Sequence, residues 1–142
     1  MATQYTAGLS TGQVLTAAIM NQIGAAWETW TPTVTASSGT FTTVTVNKAK
    51  YCQLQKTIFA FIDFTITTIG TASGVPIFTI PLTGTTVRAG GALGIWRETD
   101  ISGETGVISW ESATRCYMQR YDNGNVLTAS DRYVGTFTYE AS

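Results

Sequence analysis

Residues 57–69 read TIFAFIDFTITTI. Ile58, Ala60, Ile62, Phe64 and Ile66 fall on alternate positions, so an extended chain places all five on one face. The opposite face opens with Phe59 and Phe61 and turns polar at Asp63, Thr65 and Thr67. A strand buried on one side shows a single apolar face. Phe59 and Phe61 therefore require cover from a second layer or a neighbouring subunit, and both are candidate contact residues.

The same period of two runs outward in both directions. Upstream, Pro32 bars a helix, and Thr31, Thr33 and Thr35 alternate with Val34. Ser37-Ser38-Gly39 marks a turn, residues 41–46 and 51–54 read as strands, and Asn47-Lys48 turns the chain between them. Downstream, residues 75–82 carry Pro76 and Pro81 and read as an edge strand. Further strands are expected over 85–88, 92–97, 107–110, 115–121 and 132–139. Asp122-Asn123-Gly124-Asn125 is the strongest hairpin signal, with Val126 to Thr128 beginning the return arm. Short strands at this regular turn spacing predict a mainly β fold, an antiparallel jelly-roll-like β-sandwich over residues 31–142.

Residues 1–30 are of another kind. No charged side chain precedes Glu28. Thr16 is placed to cap a short helix in which Leu15, Ile19, Ile23 and Trp27 recur every fourth residue, with Ala26 and Trp30 beside them. A helix of about three turns is not stable alone in water. It packs across its own β domain, or it docks into a larger assembly or onto its symmetry mates. On the second reading Leu15, Ile19, Ile23, Trp27, Trp30, Phe59 and Phe61 form the anchoring and oligomer contact.

Composition narrows the chemistry. Of the 142 residues 44% are hydrophobic and only 12% charged, where roughly a quarter charged is usual. A surface of hydroxyls, glycine and apolar groups suits contact with another protein or another copy. Net charge is -1 and the basic residues are scattered, so the positive stripe that nucleic acid requires is missing. The chain has no histidine, which rules out Ser-His-Asp and Cys-His sites and imidazole metal ligation. Asp63, Glu98, Asp100, Glu104 and Glu111 show no spacing that marks a glycosidase pair. Asp122 to Asn125 lacks the later glutamate of a calcium loop. No catalytic residue, metal site or cofactor is expected. Cys52 and Cys116 lie far apart and read as buried thiols rather than a disulfide. No signal peptide and no membrane span is legible, which points to synthesis in the cytosol and release by another route.

Aromatic and charged residues gather in the second half. Trp96, Trp110, Tyr117, Tyr121 and Tyr133 lie close in sequence to Arg97, Arg115, Arg120, Asp122 and Asp131. Such rings are either sandwich core and rim, or the aromatic faces that sugars and protein hot spots use. Trp96, Arg97, Arg120, Tyr121 and Asp122 are the candidate receptor or ligand surface, with Tyr121 and Asp122 exposed at a turn.

Two stretches carry a family resemblance. TAGLSTGQVLTAAIMNQI (residues 6–23) followed by WETWTPTVTASSGTFT (residues 27–42) resembles the start of small virion proteins of tailed bacteriophages, in which a TAA-x-x-N helix precedes a W-x-x-[YW]-TPT strand entry. AKYCQLQKTIFAFIDFTIT (residues 49–67) is similar to their Y-x-x-x-G-K strand pair, with Gln55 at the turn glycine, and YVGTFTYEAS (residues 133–142) resembles their last strand. The resemblance implies a non-enzymatic virion structural protein, made in the host cytoplasm: a trimeric surface spike or fibre module that contributes to host attachment. Its implied partners are other copies in a homotrimer, other virion proteins (tail, baseplate or major capsid protein) and a host surface glycan. Residues 1–30 would hold the virion and loops 98–106 and 121–125 would face outward. A capsid decoration protein is the alternative, and a free carbohydrate-binding β domain a more distant one.

Overall fold

The computed structural model describes Val14 and residues 26–85, 88–124 and 126–142. The expected helix, with Leu15, Ile19 and Ile23, lies outside the described residues. Nine strands follow: β1 Glu28–Thr29, β2 Val34–Ser38, β3 Thr43–Leu54, β4 Thr57–Thr68, β5 Ser73–Thr79, β6 Ala92–Glu98, β7 Thr105–Ser112, β8 Arg115–Arg120 and β9 Arg132–Glu140. They form one sheet in the order β1-β3-β4-β9-β6-β7-β8-β5-β2, antiparallel at every pairing.

That order forces the sheet to curl. β1 and β2 are its opposite edges, yet only residues 30–33 join them. Nine flat strands would span roughly 38 Å at 4.8 Å per strand, whereas the five steps from Thr29 to Val34 reach about 18 Å at most. The sheet therefore bends into a half-barrel with its core on the concave side. Phe78 on β5 and Phe137 on β9 are separated by three strands in the sheet, and their rings lie 5.5 Å apart across the interior. Trp30 sits in the short crossing. Its indole N–H donates to the Thr79 carbonyl of β5 at 3.2 Å, and its ring meets Tyr51 of β3 edge-on at 6.3 Å and Phe137 at 6.4 Å. The mainly β, antiparallel expectation stands. The hydrogen bonding does not divide into the two expected sheets, because β9 pairs with both β4 and β6 and makes the order continuous.

β4 is the spine of the core. Ile58, Ile62, Phe64 and Ile66 are fully buried and Ala60 nearly so, each large one contributing about 1.5–3 kcal/mol by leaving water. β9 supplies the facing rings: Tyr133 stacks on Phe64 at 5.3 Å and packs against Trp96 at 5.6 Å. Gly106 has no side chain because the Trp96 indole and the Gln119 carbonyl occupy the space; an added Cβ would lie 2.7 and 2.1 Å from them. Cys52 and Cys116 are free and buried, as expected. Burial, with Glu111 nearby, pushes the Cys116 thiol up to about 12, which keeps it an inert core group.

Three local readings change. Residues 41–46 and 51–54 are not separate strands; Asn47 is absorbed as a bulge within β3, and its side chain donates to Asp63 at 2.9 Å and Thr65 at 3.0 Å. β5 is not an edge, since it lies between β8 and β2. Pro76 is accommodated because β8 pairs only from Ile77 onward, so the missing N–H breaks no bond on that side. The turn at Asp122 does not close a hairpin. β9 pairs with β4 and β6, where Tyr133, Phe137 and Tyr139 are buried, and that burial outweighs the local turn signal.

Gln55 and Lys56 form the two-residue loop between β3 and β4, and Gln55 has φ of 55°. The first residue of such a loop takes glycine when its φ is positive, because a Cβ there costs about 1 kcal/mol. Gln55→Gly should therefore raise stability by about 1 kcal/mol, read as a higher denaturant midpoint at unchanged m-value. A lower midpoint would show that the Gln53 side-chain bond to the Gln55 carbonyl, 2.7 Å, matters more than the backbone strain.

Candidate binding surface

The convex side of the sheet is where exposed apolar groups collect. The strand registers align Lys50, Phe61, Thr136, Ile95, Val107 and Gln119 in one row across six strands. A parallel row runs Lys48, Asp63, Val134, Arg97 and Thr105. Alternation along β4 puts Phe59 on this side too, opposite Cys52 and Thr138. Phe59 is 41% exposed, Trp27 54% and Ile95 69%. Three open depressions of about 470, 460 and 490 Å³ adjoin along the face, and Thr136 borders all three. The first joins Trp27, Phe59 and Ile95; the second holds Trp27 and Phe61 between Lys48 and Lys50; the third brings Ile95 and Arg97 to Tyr121.

Charge on this face is uneven. Lys48 lies 6.0 Å over the Phe61 ring. Asp63 is buried and bound through both oxygens by Arg132, at 2.9 and 2.7 Å. The Arg132 hydrogen bonds outweigh burial and hold the Asp63 carboxyl below its ordinary value. Among the described residues Lys48, Lys50 and Arg97 enter no salt bridge.

Two loops end the face, and each is fixed by its own polar groups. After β6 the chain folds around Glu98, which is 1% exposed. One carboxylate oxygen accepts from the backbone N–H groups of Asp100 and Ile101, at 2.5 and 2.8 Å. The other accepts from those of Ser102 and Gly103, at 2.6 and 2.8 Å, and from the Ser102 hydroxyl at 3.1 Å. Burial alone pushes this carboxyl up, but the four N–H groups outweigh it and bring it down to about 2. After β8, Arg120 binds Glu104 at 2.7 Å and Asp122 at 2.9 Å. Asn123 N–H closes a turn onto the Arg120 carbonyl at 3.1 Å, and Gly124 N–H donates to Asp122 at 2.9 Å. Tyr121, between the paired residues, is 83% exposed. Each half-exposed ion pair is worth about 0–1 kcal/mol; together they orient the turn rather than stabilise the fold.

The sequence-derived residues sort accordingly. Trp27, Phe59 and Phe61 come together on the convex face. Trp30 is turned into the chain and joins β5 to β3. Arg97 and Tyr121 border one depression at the end of the face, and Arg120 and Asp122, on either side of Tyr121, pair with each other outside its lining, whereas Trp96 is 2% exposed and donates its N–H to the Gln119 carbonyl at 3.1 Å. Trp96 is therefore core beneath this surface. Ile95, Thr136, Lys48 and Lys50 were not singled out in the sequence. Ile95 could have been found by parity, since it alternates with buried Trp96. The lysines could not, because their alignment with Phe61 and Asp63 depends on the β3–β4 register and its bulge.

Among the described residues no cluster of His, Cys, Asp or Glu could hold a metal ion, and no helix is long and apolar enough to cross a membrane.

Glu98→Gln should cost about 2–3 kcal/mol, because an amide turns a donor toward backbone donors and removes the charge they bind. With its folded carboxyl depressed to about 2, the stability Glu98 contributes is present above the ordinary glutamate range and is lost as pH falls through it toward 2. Acid titration of wild type and variant by denaturant unfolding should show their difference shrinking over that window. A difference that is constant from neutral pH to pH 2 would contradict this account.

No protein-family model matches the chain, and neither the curated proteins nor the solved structures hold a significant match to it.

Proposed function

We propose that this chain is a non-enzymatic structural protein of a tailed-bacteriophage virion, a surface spike or fibre module that assembles as a homotrimer and contributes to host attachment. The observation that carries the reading is the convex apolar face. Trp27, the last residue of the fourfold apolar spacing in the N-terminal segment, lines the same depression as Phe59 and Ile95. The part of the chain that resembles the phage proteins thus leads directly onto a patch that is exposed among the described residues. Exposed aromatic and branched side chains in contiguous array favour burial against another subunit. A closed cyclic assembly would bury the face in every copy at once. On this reading residues 1–30 and the Trp27–Phe59–Phe61–Ile95 patch hold other copies or a tail, baseplate or capsid protein, while the loops around Glu98 and Tyr121 face outward. The curled sheet would then serve as a jelly-roll-like module, its two halves packed across the core through pairs such as Phe78 and Phe137. The protein is made in the host cytoplasm and resides in the virion.

Gold-labelled antibody imaged on particles from a lysate of the source tests the assignment. Label at the tail end supports attachment, label spread over the head indicates capsid decoration, and bare particles overturn the virion reading. The contact face is tested separately. Phe59→Ser combined with Ile95→Ser should leave the circular dichroism spectrum unchanged, because both side chains are solvent-facing in the single chain, yet shift the sedimentation coefficient from trimer to monomer. A double variant that sediments with wild type would remove this face from the assembly.

A further inference from the structure

The arginines on the strands of the sheet divide into two groups. Arg115, Arg120 and Arg132 each hold a carboxylate at 2.7–2.9 Å. Arg97 does not, although acidic residues surround it in sequence. The reason is visible in the loop that follows. Glu98 points to the opposite side of β6 and is saturated by backbone N–H groups, while Glu104 is taken by Arg120. Arg97 is left exposed, its guanidinium beside Gly103 where even an added Cβ would stand 3.7 Å away. It borders the depression of about 490 Å³ together with Tyr121, Thr105 and Thr136. Tyr121 is exposed but not loosely held, because the residues on both sides of it are tied to each other and to Glu104.

A guanidinium without a carboxylate, an exposed phenol ring on a fixed turn and the Thr105 hydroxyl form a recognisable set. Guanidinium binds carboxylate through two parallel N–H···O bonds. An aromatic face accepts the C–H side of a sugar ring, and hydroxyls exchange hydrogen bonds with ring hydroxyls. We infer that the Arg97–Tyr121 depression binds a carboxylated sugar, its carboxylate on Arg97 and its ring on Tyr121. The inference rests on the proposed outward orientation of this end. A polyphosphate strand is disfavoured here. Among the described residues Arg97 is the one charged group that borders the depression, and the chain as a whole carries a net charge of -1. Pre-ordering of both loops means that binding need not first organise them, which lowers the entropic cost of capture.

The test is titration of the full chain with sialyllactose and with trigalacturonate, followed by ligand-observed NMR, with lactose as the neutral control. At least one acidic sugar should bind in the millimolar range and lactose should bind at least about tenfold more weakly. Arg97→Gln should weaken the acidic ligand by about tenfold or more at unchanged melting temperature. Tyr121→Ala should weaken it as well, and Arg88→Gln, outside the depression, should not. Failure of both acidic sugars to bind, equal binding of lactose, or full binding by Arg97→Gln would each overturn the inference. Particle labelling does not depend on this titration. A chain that labels virions but ignores both acids would sink the inference alone, and one that binds them but labels no particle would support the site and sink the virion reading.

Discussion

Four residues, 30–33, join the two outermost strands of a nine-stranded sheet. Chain connectivity, and no single contact, is what closes this molecule. A tether of that length sets an upper limit on the distance between the edges, and a right-twisted antiparallel sheet meets it by curling. Trp30 then makes the closed form favourable as well as obligatory, by spanning from β5 to β3 and β9 with one hydrogen bond and two ring contacts. The concave face shrinks to a volume that side chains can fill. Pairs distant in the sheet, such as Phe78 with Phe137, become neighbours.

Curling also determines what remains outside. Among the described residues no second layer covers the convex side of the half-barrel, so residues of the opposite parity on β4 and β6 are exposed there even when they are apolar. Phe59 and Ile95 are in this position, and Trp27 joins them from the N-terminal side. Threonine at 136 and 138 on β9 gives the same face hydroxyls without charge. A surface of this type is tolerable in one copy and gains free energy when it meets another apolar surface. The polar end of the face differs in how it is held. Glu98 organises its loop through that loop's own N–H groups and Arg120 ties the turn after β8 to Asp122 and to Glu104 of the neighbouring loop, so Arg97 and Tyr121 stand on rigid supports although both are exposed. A group presented this way loses little freedom on binding.

The period of two, the apolar face of residues 58–66, the absence of histidine and the low charge were all readable from the chain alone, because each depends only on residue type and spacing. So was the unusual second apolar side at Phe59 and Phe61, since alternation in an extended chain is independent of partners. Gln55 could be located at a turn by its resemblance to a glycine position, and its left-handed backbone agrees with that placement. What needed the tertiary structure was everything governed by pairing between strands distant in sequence. The hairpin signal at Asp122 lost because β9 buries three aromatic rings between β4 and β6, which local turn preference cannot offset. The sequence groups Trp96 with Tyr121 as one candidate surface, yet Trp96 is core, because it takes the buried parity of β6 whereas Tyr121 stands on the turn after β8. The unpaired state of Arg97 was equally hidden. It follows from two carboxylates nearby being engaged elsewhere, Glu98 by backbone N–H groups and Glu104 by Arg120, and competition among partners is settled only when the chain has folded.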